Sequence, residues 1–284
     1  MKVVLAQITS LLGDVEKNFH KHLECIENAR KEKADLIIFP ELSLTGYSLM
    51  DMVENVGLNP FQDSMFNELK KISRDISLVL GFVEEKERGL YFNSAAFIED
   101  GEIKHIHRKV HLPNYGMFEE KRFLARGKDF LPFTTKFGKA GMLICYDFLH
   151  YSSSYPLSAG GADIIIVISA APGRGNQEKD EFASQHMWEL MGEAISCFST
   201  SFVFYCNKVG FEDGKCFAGS SFIFGPSGKL YTKVPALDEC LITQEIDLDE
   251  ISSIRKKRMY RRDDRPELIL HSLKQIISSN ENKS

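Results

Sequence analysis

Several short runs of this sequence are apolar at almost every position, and they restrict the possible folds more than any other feature. The clearest are residues 34–39 (ADLIIF) and 163–169 (DIIIVIS). A strand with one face in water alternates apolar and polar residues, so runs without alternation are typical of strands buried on both faces. Residues 164–168 are far too few to cross a bilayer. We therefore predict a sheet covered by helices on one face and by another layer on the other.

Strand and helix patterns recur along the chain in two similar sets. Strands are predicted at residues 2–8, 34–39, 77–83, 91–98, 103–109, 139–145, 163–169, 201–207, 216–224, 230–234 and 240–246. Helices are predicted after Asp14, a typical N-cap residue, and then around 61–72, from about 177 to 195 with Leu190 among the buried residues, and from Arg265 onward. Two sets of strands with helices between them indicate an α/β protein, a two-layer sheet sandwich with helices outside.

The composition is that of a soluble globular protein, with 284 residues of which 43% are hydrophobic and 26% charged. The net charge of -5 argues against a general nucleic-acid or membrane-surface binder. The basic run at 255–262 (RKKRMYRR) is followed at once by two aspartates, so we interpret it as a solvated face or interface rim. We expect one domain, residues 1–284, with 255–284 as an interface extension.

Compartment and metal content are predicted from the N-terminus, the cysteines and the histidines. The start, MKVVLAQIT, is a strand pattern and lacks the features of a signal peptide. The six cysteines are scattered without a C-x-x-C pair, which favours free thiols. His105, His107 and His111 alternate, but no acidic or cysteine cluster accompanies them. We expect a cytoplasmic protein without a metal.

Three chemically active side chains each follow an apolar run. Glu41 comes after residues 34–40, Lys109 ends the strand at 103–109, and Cys145 ends the run at 139–145. Charged side chains are seldom buried unpaired, and ligands of open α/β sheets bind at the carboxyl ends of the strands. A single cysteine in such a place is more often a packing residue. Three such groups together indicate a site.

These three groups suit acyl transfer. A thiol becomes a nucleophile when a carboxylate within hydrogen-bond reach takes its proton. An ammonium stabilises the oxyanion that forms when the thiol attacks a carbonyl. The backbone N–H of Tyr146, just after Cys145, is a second candidate oxyanion donor.

Three segments resemble the motifs of the carbon–nitrogen hydrolases of the nitrilase superfamily. Residues 39–47 (FPELSLTGY) resemble the base motif, 107–123 (HRKVHLPNYGMFEEKRF) the lysine motif, and 141–148 (GMLICYDF) the nucleophile motif. They occur in the family's order, and the resemblance extends to DDRPEL at 263–268. It implies an α/β fold of the four-layer α-β-β-α sandwich type, assembled as a homodimer or higher homo-oligomer, without a cofactor.

The resemblance also implies residue roles. Cys145 is the nucleophile, Glu41 the general base and Lys109 the oxyanion-stabilising cation. A second acid, Glu120 with Glu119 as the alternative, orients Lys109 and the substrate amide or assists proton transfer. Candidate substrate-binding residues on the neighbouring loops are Tyr47, Tyr115, Phe118, Tyr146, Ser169 and Arg174.

The substrate is predicted less directly. LTGYS and KVHLPNYGMFEEKRF are most similar to the glutaminase domain of glutamine-dependent NAD synthetases. Those domains usually carry an acid after the cysteine, where this chain has Tyr146, and the 284 residues contain no Gly-rich ATP-pyrophosphate loop. We therefore expect an amidase acting on a small linear amide or N-carbamoyl compound. A nitrilase, or a glutaminase-type subunit supplying ammonia to a synthetase partner, is the alternative.

Overall fold

Two mixed six-stranded sheets lie face to face at the centre of the computed structural model, which describes residues 1–175, 177–178 and 181–281. The first sheet has the order β16-β1-β2-β3-β4-β5. Its strands are β1 (Lys2–Gln7), β2 (Leu36–Ile38), β3 (Ser77–Glu87), β4 (Leu90–Glu99), β5 (Glu102–Arg108) and β16 (Cys240–Glu245). The strands β1, β2 and β3 are parallel to one another, and the other pairings are antiparallel.

The second sheet has the order β15-β14-β11-β8-β7-β6. Its strands are β6 (Phe133–Thr135), β7 (Gly138–Ile144), β8 (Ile164–Ser169), β11 (Phe202–Asn207), β14 (Phe222–Phe224) and β15 (Leu230–Lys233). The parallel strands are β7, β8 and β11. Two short hairpins lie outside both sheets: β9 (Gln177–Glu178) with β10 (Glu181–Phe182), and β12 (Val209–Glu212) with β13 (Lys215–Ala218).

Alternation of side chains along each strand builds two separate apolar layers. Val3 and Leu5 of β1 point into the cluster shared with the second sheet, whereas Val4 and Ala6 point into the cluster under the helices. Both faces of β1 are therefore buried, which explains why its sequence does not alternate. This confirms the predicted α-β-β-α sandwich.

The helices cover the outer faces of the sheets and include the small turns near the site. The helical segments are α1 (Val15–Lys31), a 3-10 turn (Met50–Met52), α2 (Val53–Val56), α3 (Ser64–Ile72), α4 (Glu120–Phe123), α5 (Tyr146–Leu149), α6 (Tyr151–Ala159), α7 (Ala183–Ser199), α8 (Asp249–Lys257), α9 (Tyr260–Asp263) and α10 (Pro266–Glu281). Asp14 caps α1 as predicted, accepting the N–H of Lys17 at 3.1 Å.

Three sequence predictions differ from the structure. The helix predicted from about 177 begins at Ala183, because the β9–β10 hairpin comes first; residues 176, 179 and 180 lie outside the described part. Leu190, predicted to be buried on that helix, is 49% exposed. The single strand predicted at 216–224 is two strands, since the backbone turns through positive φ at Gly219 and Ser220.

The C-terminal helix α10 differs from the others in its exposure. Its apolar residues are each about half exposed: Leu268, Ile269, Leu270, Leu273, Ile276 and Ile277. An amphipathic helix ordinarily buries such a face. The role of residues 255–284 as an interface extension stays a prediction, and residues 282–284 lie outside the described part.

Candidate active site

The site lies where the carboxyl ends of the parallel strands meet. Glu41 follows β2, Cys145 follows β7, and Ser169 ends β8. Lys109 comes directly after β5. Glu41 lies beside the second sheet, because its carboxylate accepts the backbone N–H of Ala170 at 2.7 Å. The two sheets thus bring together residues that are far apart in sequence.

Lys109 lies between two carboxylates. Its Nζ donates to Glu41 Oε1 and to Glu120 Oε1, each at 2.7 Å, and the Lys109 side chain has no solvent exposure. Burial disfavours the ammonium, but Glu120 and Glu41 outweigh burial, so the pKa of Lys109 is raised above its usual range. The ammonium therefore persists in a dry site, where it interacts strongly with a developing negative charge.

Glu41 is held on both oxygens. Besides Lys109, its Oε1 accepts a hydrogen bond from Asn93 Nδ2 at 2.7 Å, and its Oε2 accepts the Ala170 N–H. Bonds from a cation, an amide and a peptide N–H are what a fully buried carboxylate needs to avoid a large desolvation cost.

Glu120, the predicted second acid, is buried at the start of α4. Its Oε1 accepts the hydroxyl of Tyr47 at 2.5 Å as well as Lys109, whereas its Oε2 has no hydrogen-bond partner among the described residues. Burial raises the pKa of Glu120 to about 7, with Lys109 opposing this shift and Glu41 adding to it. Glu119, the alternative acid, lies at the N-terminal boundary of α4 and does not contact Lys109.

Glu120→Gln is expected to remove one pH dependence of folding stability. Between pH 4.5 and about 7 the folded chain keeps a proton on Glu120 that the unfolded chain has released. This contribution to stability is complete below pH 4.5 and is lost as the pH rises through 7. Buried His22 and half-buried His105 act in the opposite direction, since desolvation lowers the pKa of each to about 4.

The measurement for Glu120 is therefore a difference between two proteins. Denaturant unfolding of wild type and Glu120→Gln is compared across this pH range, so the histidine contributions cancel. We expect the unfolding free energy of wild type minus that of Glu120→Gln to shrink as the pH rises. A difference in unfolding free energy that does not change with pH contradicts the assignment.

Cys145 occupies a strained turn beside these charges. Its φ is 45° and its ψ is -104°, outside the helix and strand regions, and only 4% of the residue is exposed. Burial raises the pKa of the Cys145 thiol well above its usual value; Glu41 adds to this and Lys109 opposes it. The thiol is thus protonated at neutral pH and needs a base before it can attack.

Asp147 links the turn at Cys145 to the strand end that carries Lys109. Its carboxylate accepts the backbone N–H of His111 at 2.8 Å and of Val110 at 3.2 Å, and lies 3.0 Å from His107 Nε2. Burial disfavours the charge, but hydrogen bonds from His107 and His111 lower the pKa of Asp147 below its usual range. The segment after Lys109 is thereby fixed to the turn after Cys145.

Asp147→Asn is expected to destabilise the fold by about 1–3 kcal/mol, because the amide N–H₂ meets groups that need an acceptor. Activity is expected to fall as well, since Lys109 is less firmly placed. The measurements are thermal unfolding and turnover. Asp163→Asn is the matched control: Asp163 accepts the Lys139 N–H at 3.0 Å at the amino-terminal ends of β7 and β8, the ends opposite the site. Equal activity losses in both variants contradict the linking role.

Five of the six predicted substrate-binding residues form a connected group, and Ser169 lies apart from them beside Cys145. The Tyr115 ring lies 5.7 Å from the Tyr146 ring and 5.5 Å from the Phe118 ring, and the Arg174 guanidinium lies 5.2 Å from the Phe118 ring. Tyr47 packs edge-on against Phe118 at 6.2 Å. Ser169 is buried beside the Cys145 thiol and lowers the pKa of that thiol, and its hydroxyl makes no hydrogen bond of ordinary geometry within the described residues. Substrate contact by these residues stays a prediction.

Sequence reasoning missed several residues of this region. Asn93 lies inside an apolar strand and Asp147 inside the nucleophile motif, and both are fully buried. Lys208 follows β11 just as Cys145 follows β7, and only 2% of it is exposed. The pattern that identified Glu41, Lys109 and Cys145 also applies to Lys208 and could have found it.

Other features of the region do not locate the chemistry. A cavity adjoins Glu120 and Tyr47, but Cys145 is not in its wall, so we place the reaction by the hydrogen-bonded charges instead. His105 stacks on Phe133, and the described residues contain no group of three or more His, Cys, Asp or Glu arranged for a metal. No helix in the described ranges is long and apolar enough to cross a membrane.

Comparisons with known proteins agree with this fold and these motifs. The chain is 34% identical over 249 residues to the glutamine-dependent NAD(+) synthetase of Acinetobacter baylyi, a match covering 88% of this chain and 44% of that protein. It thus spans about half the length of such relatives. It is 29% identical to a probable nitrilase of Schizosaccharomyces pombe, covering 89% of this chain and 91% of that one.

The structure and the family model give the same result. A carbon-nitrogen hydrolase from Helicobacter pylori superimposes with a TM-score of 0.86 at 26% identity, covering 96% of this chain and 98% of that one. The model of the family described as carbon-nitrogen hydrolase matches residues 2–256. This chain belongs to the carbon-nitrogen hydrolase family of the nitrilase superfamily.

Proposed function

We propose that this chain is an amidase-type hydrolase that cleaves the C–N bond of a small linear amide or N-carbamoyl compound through a thioester. The observation that carries the proposal is the buried ammonium of Lys109, held at 2.7 Å by both Glu41 and Glu120 beside Cys145. A cation without solvent contact, next to a thiol and two carboxylates, suits oxyanion stabilisation better than it suits folding stability.

The proposed first half-reaction forms the thioester. Glu41 takes the proton of the Cys145 thiol, and the thiolate attacks the amide carbonyl carbon. The oxyanion is stabilised by Lys109 Nζ and by the N–H of Tyr146, which as the first residue of α5 has no intrahelical acceptor. When the C–N bond breaks, the leaving amine or ammonia takes the proton from Glu41.

The second half-reaction restores the thiol. Glu41 takes a proton from water, and the resulting hydroxide attacks the thioester carbonyl. The C–S bond breaks, the acid product leaves, and the thiolate recovers its proton from Glu41. Glu120, which shares the Lys109 ammonium with Glu41, keeps the cation in place through both steps.

Aromatic rings and one guanidinium favour a small substrate with a flat or anionic part. Tyr115, Phe118 and Tyr146 form the ring contacts, and Arg174 is partly exposed over Phe118. A guanidinium binds carboxylates with two parallel hydrogen bonds. An N-carbamoyl acid therefore fits this arrangement, with its carboxylate at Arg174.

The test is ammonia release from a panel of small amides, N-carbamoyl amines and acids, nitriles and glutamine. Wild type is compared with Cys145→Ala. We expect release by wild type alone, with an amide or N-carbamoyl compound as the best substrate. Release that persists in Cys145→Ala contradicts the mechanism.

A second candidate function is supply of ammonia from glutamine to a synthetase partner. The sequence identity of 34% to a glutamine-dependent NAD(+) synthetase favours this candidate. Glutamine as the best compound of the panel, with turnover that rises when a synthetase is added, supports this candidate over the amidase. A nitrile as the best compound supports nitrilase activity, in line with the probable nitrilase relative.

We also propose that the chain works as a homodimer or higher homo-oligomer in the cytoplasm. Helix α7 exposes Met187, Leu190 and Phe198, and α10 is half exposed along its apolar face. All six cysteines are free thiols, which fits a reducing compartment.

Light scattering tests the oligomeric state. It should give a dimer or larger species for wild type and a smaller one for Leu273→Glu/Ile276→Glu. The control, Gln275→Glu/Ser279→Glu, should match wild type.

A further inference from the structure

A second buried ion pair lies close to the site and has no part in the proposed chemistry. Lys208 and Glu212 form a salt bridge, and their side chains are 2% and 3% exposed. Lys208 follows β11 and Glu212 ends β12. Burying two charges costs stability unless further hydrogen bonds satisfy them, so the other partners of this pair indicate what it does.

Those partners belong to the loop that carries Tyr47. Glu212 Oε1 accepts the backbone N–H of Tyr47 at 2.9 Å and that of Ser48 at 2.6 Å. The other oxygen of Glu212 accepts a hydrogen bond from Lys208, which also donates to Ser10 Oγ at 2.6 Å. One carboxylate oxygen thus anchors two successive peptide groups of the loop.

The ring of Phe217 makes the same connection through packing. Lys208 Nζ lies 5.1 Å from the centre of this ring, and the ring packs edge-on against Tyr47 at 5.6 Å. Cation–ring and ring–ring contacts both depend on geometry. Tyr47 is therefore fixed at its backbone by Glu212 and at its ring by Phe217.

The anchored tyrosine touches the acid of the site. Its hydroxyl donates to Glu120 Oε1 at 2.5 Å, and the same oxygen accepts Lys109 at 2.7 Å. We propose that Glu212, held by Lys208, is a positioning residue that sets the phenol of Tyr47 against Glu120 and so fixes the ammonium of Lys109. This inference rests on the proposed function for its meaning, but its geometry does not depend on the substrate.

The ionisation of Glu120 makes the proposal measurable. The hydrogen bond from Tyr47 lowers the pKa of Glu120, so a displaced phenol raises it further. The other ionisable groups around Glu120 stay unchanged in the variants below. They are Lys109, Glu41, Cys145 and, on the adjoining cavity, Glu119 and Lys215.

Two neutral replacements of the pair separate anchoring from charge. Lys208→Met/Glu212→Leu removes both charges and the acceptor of the two loop N–H groups. Lys208→Met/Glu212→Gln, the matched control, removes the same charges but keeps an oxygen for those N–H groups. Replacing both partners avoids leaving one buried charge unpaired. Thermal unfolding verifies that each variant is folded.

The first readout is turnover against pH. In the Leu variant we expect kcat to fall by up to about 100-fold with KM little changed, because small displacements at a reacting centre have effects of this size. The limb of the pH profile near 7, where turnover changes as Glu120 ionises, should move to higher pH. The Gln control should keep the wild-type limb. Should the Leu variant fail to fold, Glu212→Asp should shift the pH profile in the same direction, because it keeps the charge that pairs with Lys208 but draws the acceptor back from the loop N–H groups by one methylene.

The second readout needs no substrate. Alkylation of Cys145 by iodoacetamide, followed by mass spectrometry across the same pH range, responds to the charge on Glu120. It therefore tests the positioning role of Glu212 even if the amidase proposal fails. If wild type is inactive but the pH profile of Cys145 alkylation still shifts in the Leu variant, the amidase proposal is wrong and the positioning proposal stands.

Tyr47→Phe decides whether the effect passes through the phenol. In this background the Leu variant should add no further pH shift, because the link to Glu120 is already broken. The proposal is overturned if the Leu variant keeps the wild-type limb and kcat while losing only thermal stability. It is also overturned if the pH shifts of the Leu variant and Tyr47→Phe simply add.

Discussion

Cys145→Ala is expected to lower ammonia release on the order of 10⁴-fold or more, because the proposed thioester cannot form without this thiol. The side chain is small and buried, and its thiol is protonated in the resting state. Replacing it leaves no buried charge unpaired, so the melting temperature should change little. Turnover of the best panel substrate and thermal unfolding measure both quantities.

Cys206→Ala is the matched control. Cys206 is also fully buried near the carboxyl end of a parallel strand of the second sheet, and burial raises its pKa as it does that of Cys145. Its Sγ faces the carbonyls of Ala6 and Ile38 instead of the charged cluster. Its loss should leave turnover nearly unchanged. Similar losses in the two variants mean that the cysteine at 145 acts only through packing.

Lys109→Met is expected to lower turnover by about 10²–10³-fold, the usual effect of losing one oxyanion donor. It should also destabilise the fold by about 3–5 kcal/mol, because it leaves the buried carboxylates of Glu41 and Glu120 without their shared cation. Turnover and denaturant unfolding measure the two effects. The role that the family resemblance implies for Lys109 leads only to the loss of turnover, whereas the loss of stability follows from its complete burial in the structure.

The double variant Lys109→Met/Glu120→Gln separates these effects. Removing one of the two carboxylates should restore part of the lost stability, because Glu41 still has Asn93 and the Ala170 N–H. Turnover should stay low, since the cation is still missing. Turnover that returns along with stability contradicts a direct role for Lys109.

Much of the fold could be predicted because it follows from local patterns. Strands buried on both faces lack alternation, and Asp14 was recognisable as a helix cap; both rules act over a few residues. The helix boundary at Ala183 and the break at Gly219 and Ser220 were missed. There the chain follows contacts with distant segments, such as the packing of the Gln7 side chain against Gly219.

By itself, the sequence determined the sheet sandwich and the helices and predicted that Glu41, Lys109 and Cys145 belong to one site, because apolar runs and the residues after them are visible locally. Only the tertiary structure decided how these groups are joined. Glu41 meets Ala170 across 129 residues, and Tyr47 meets Glu212 across 165. Buried charges choose their partners in space, so no spacing rule along the chain could reveal which carboxylate holds which cation.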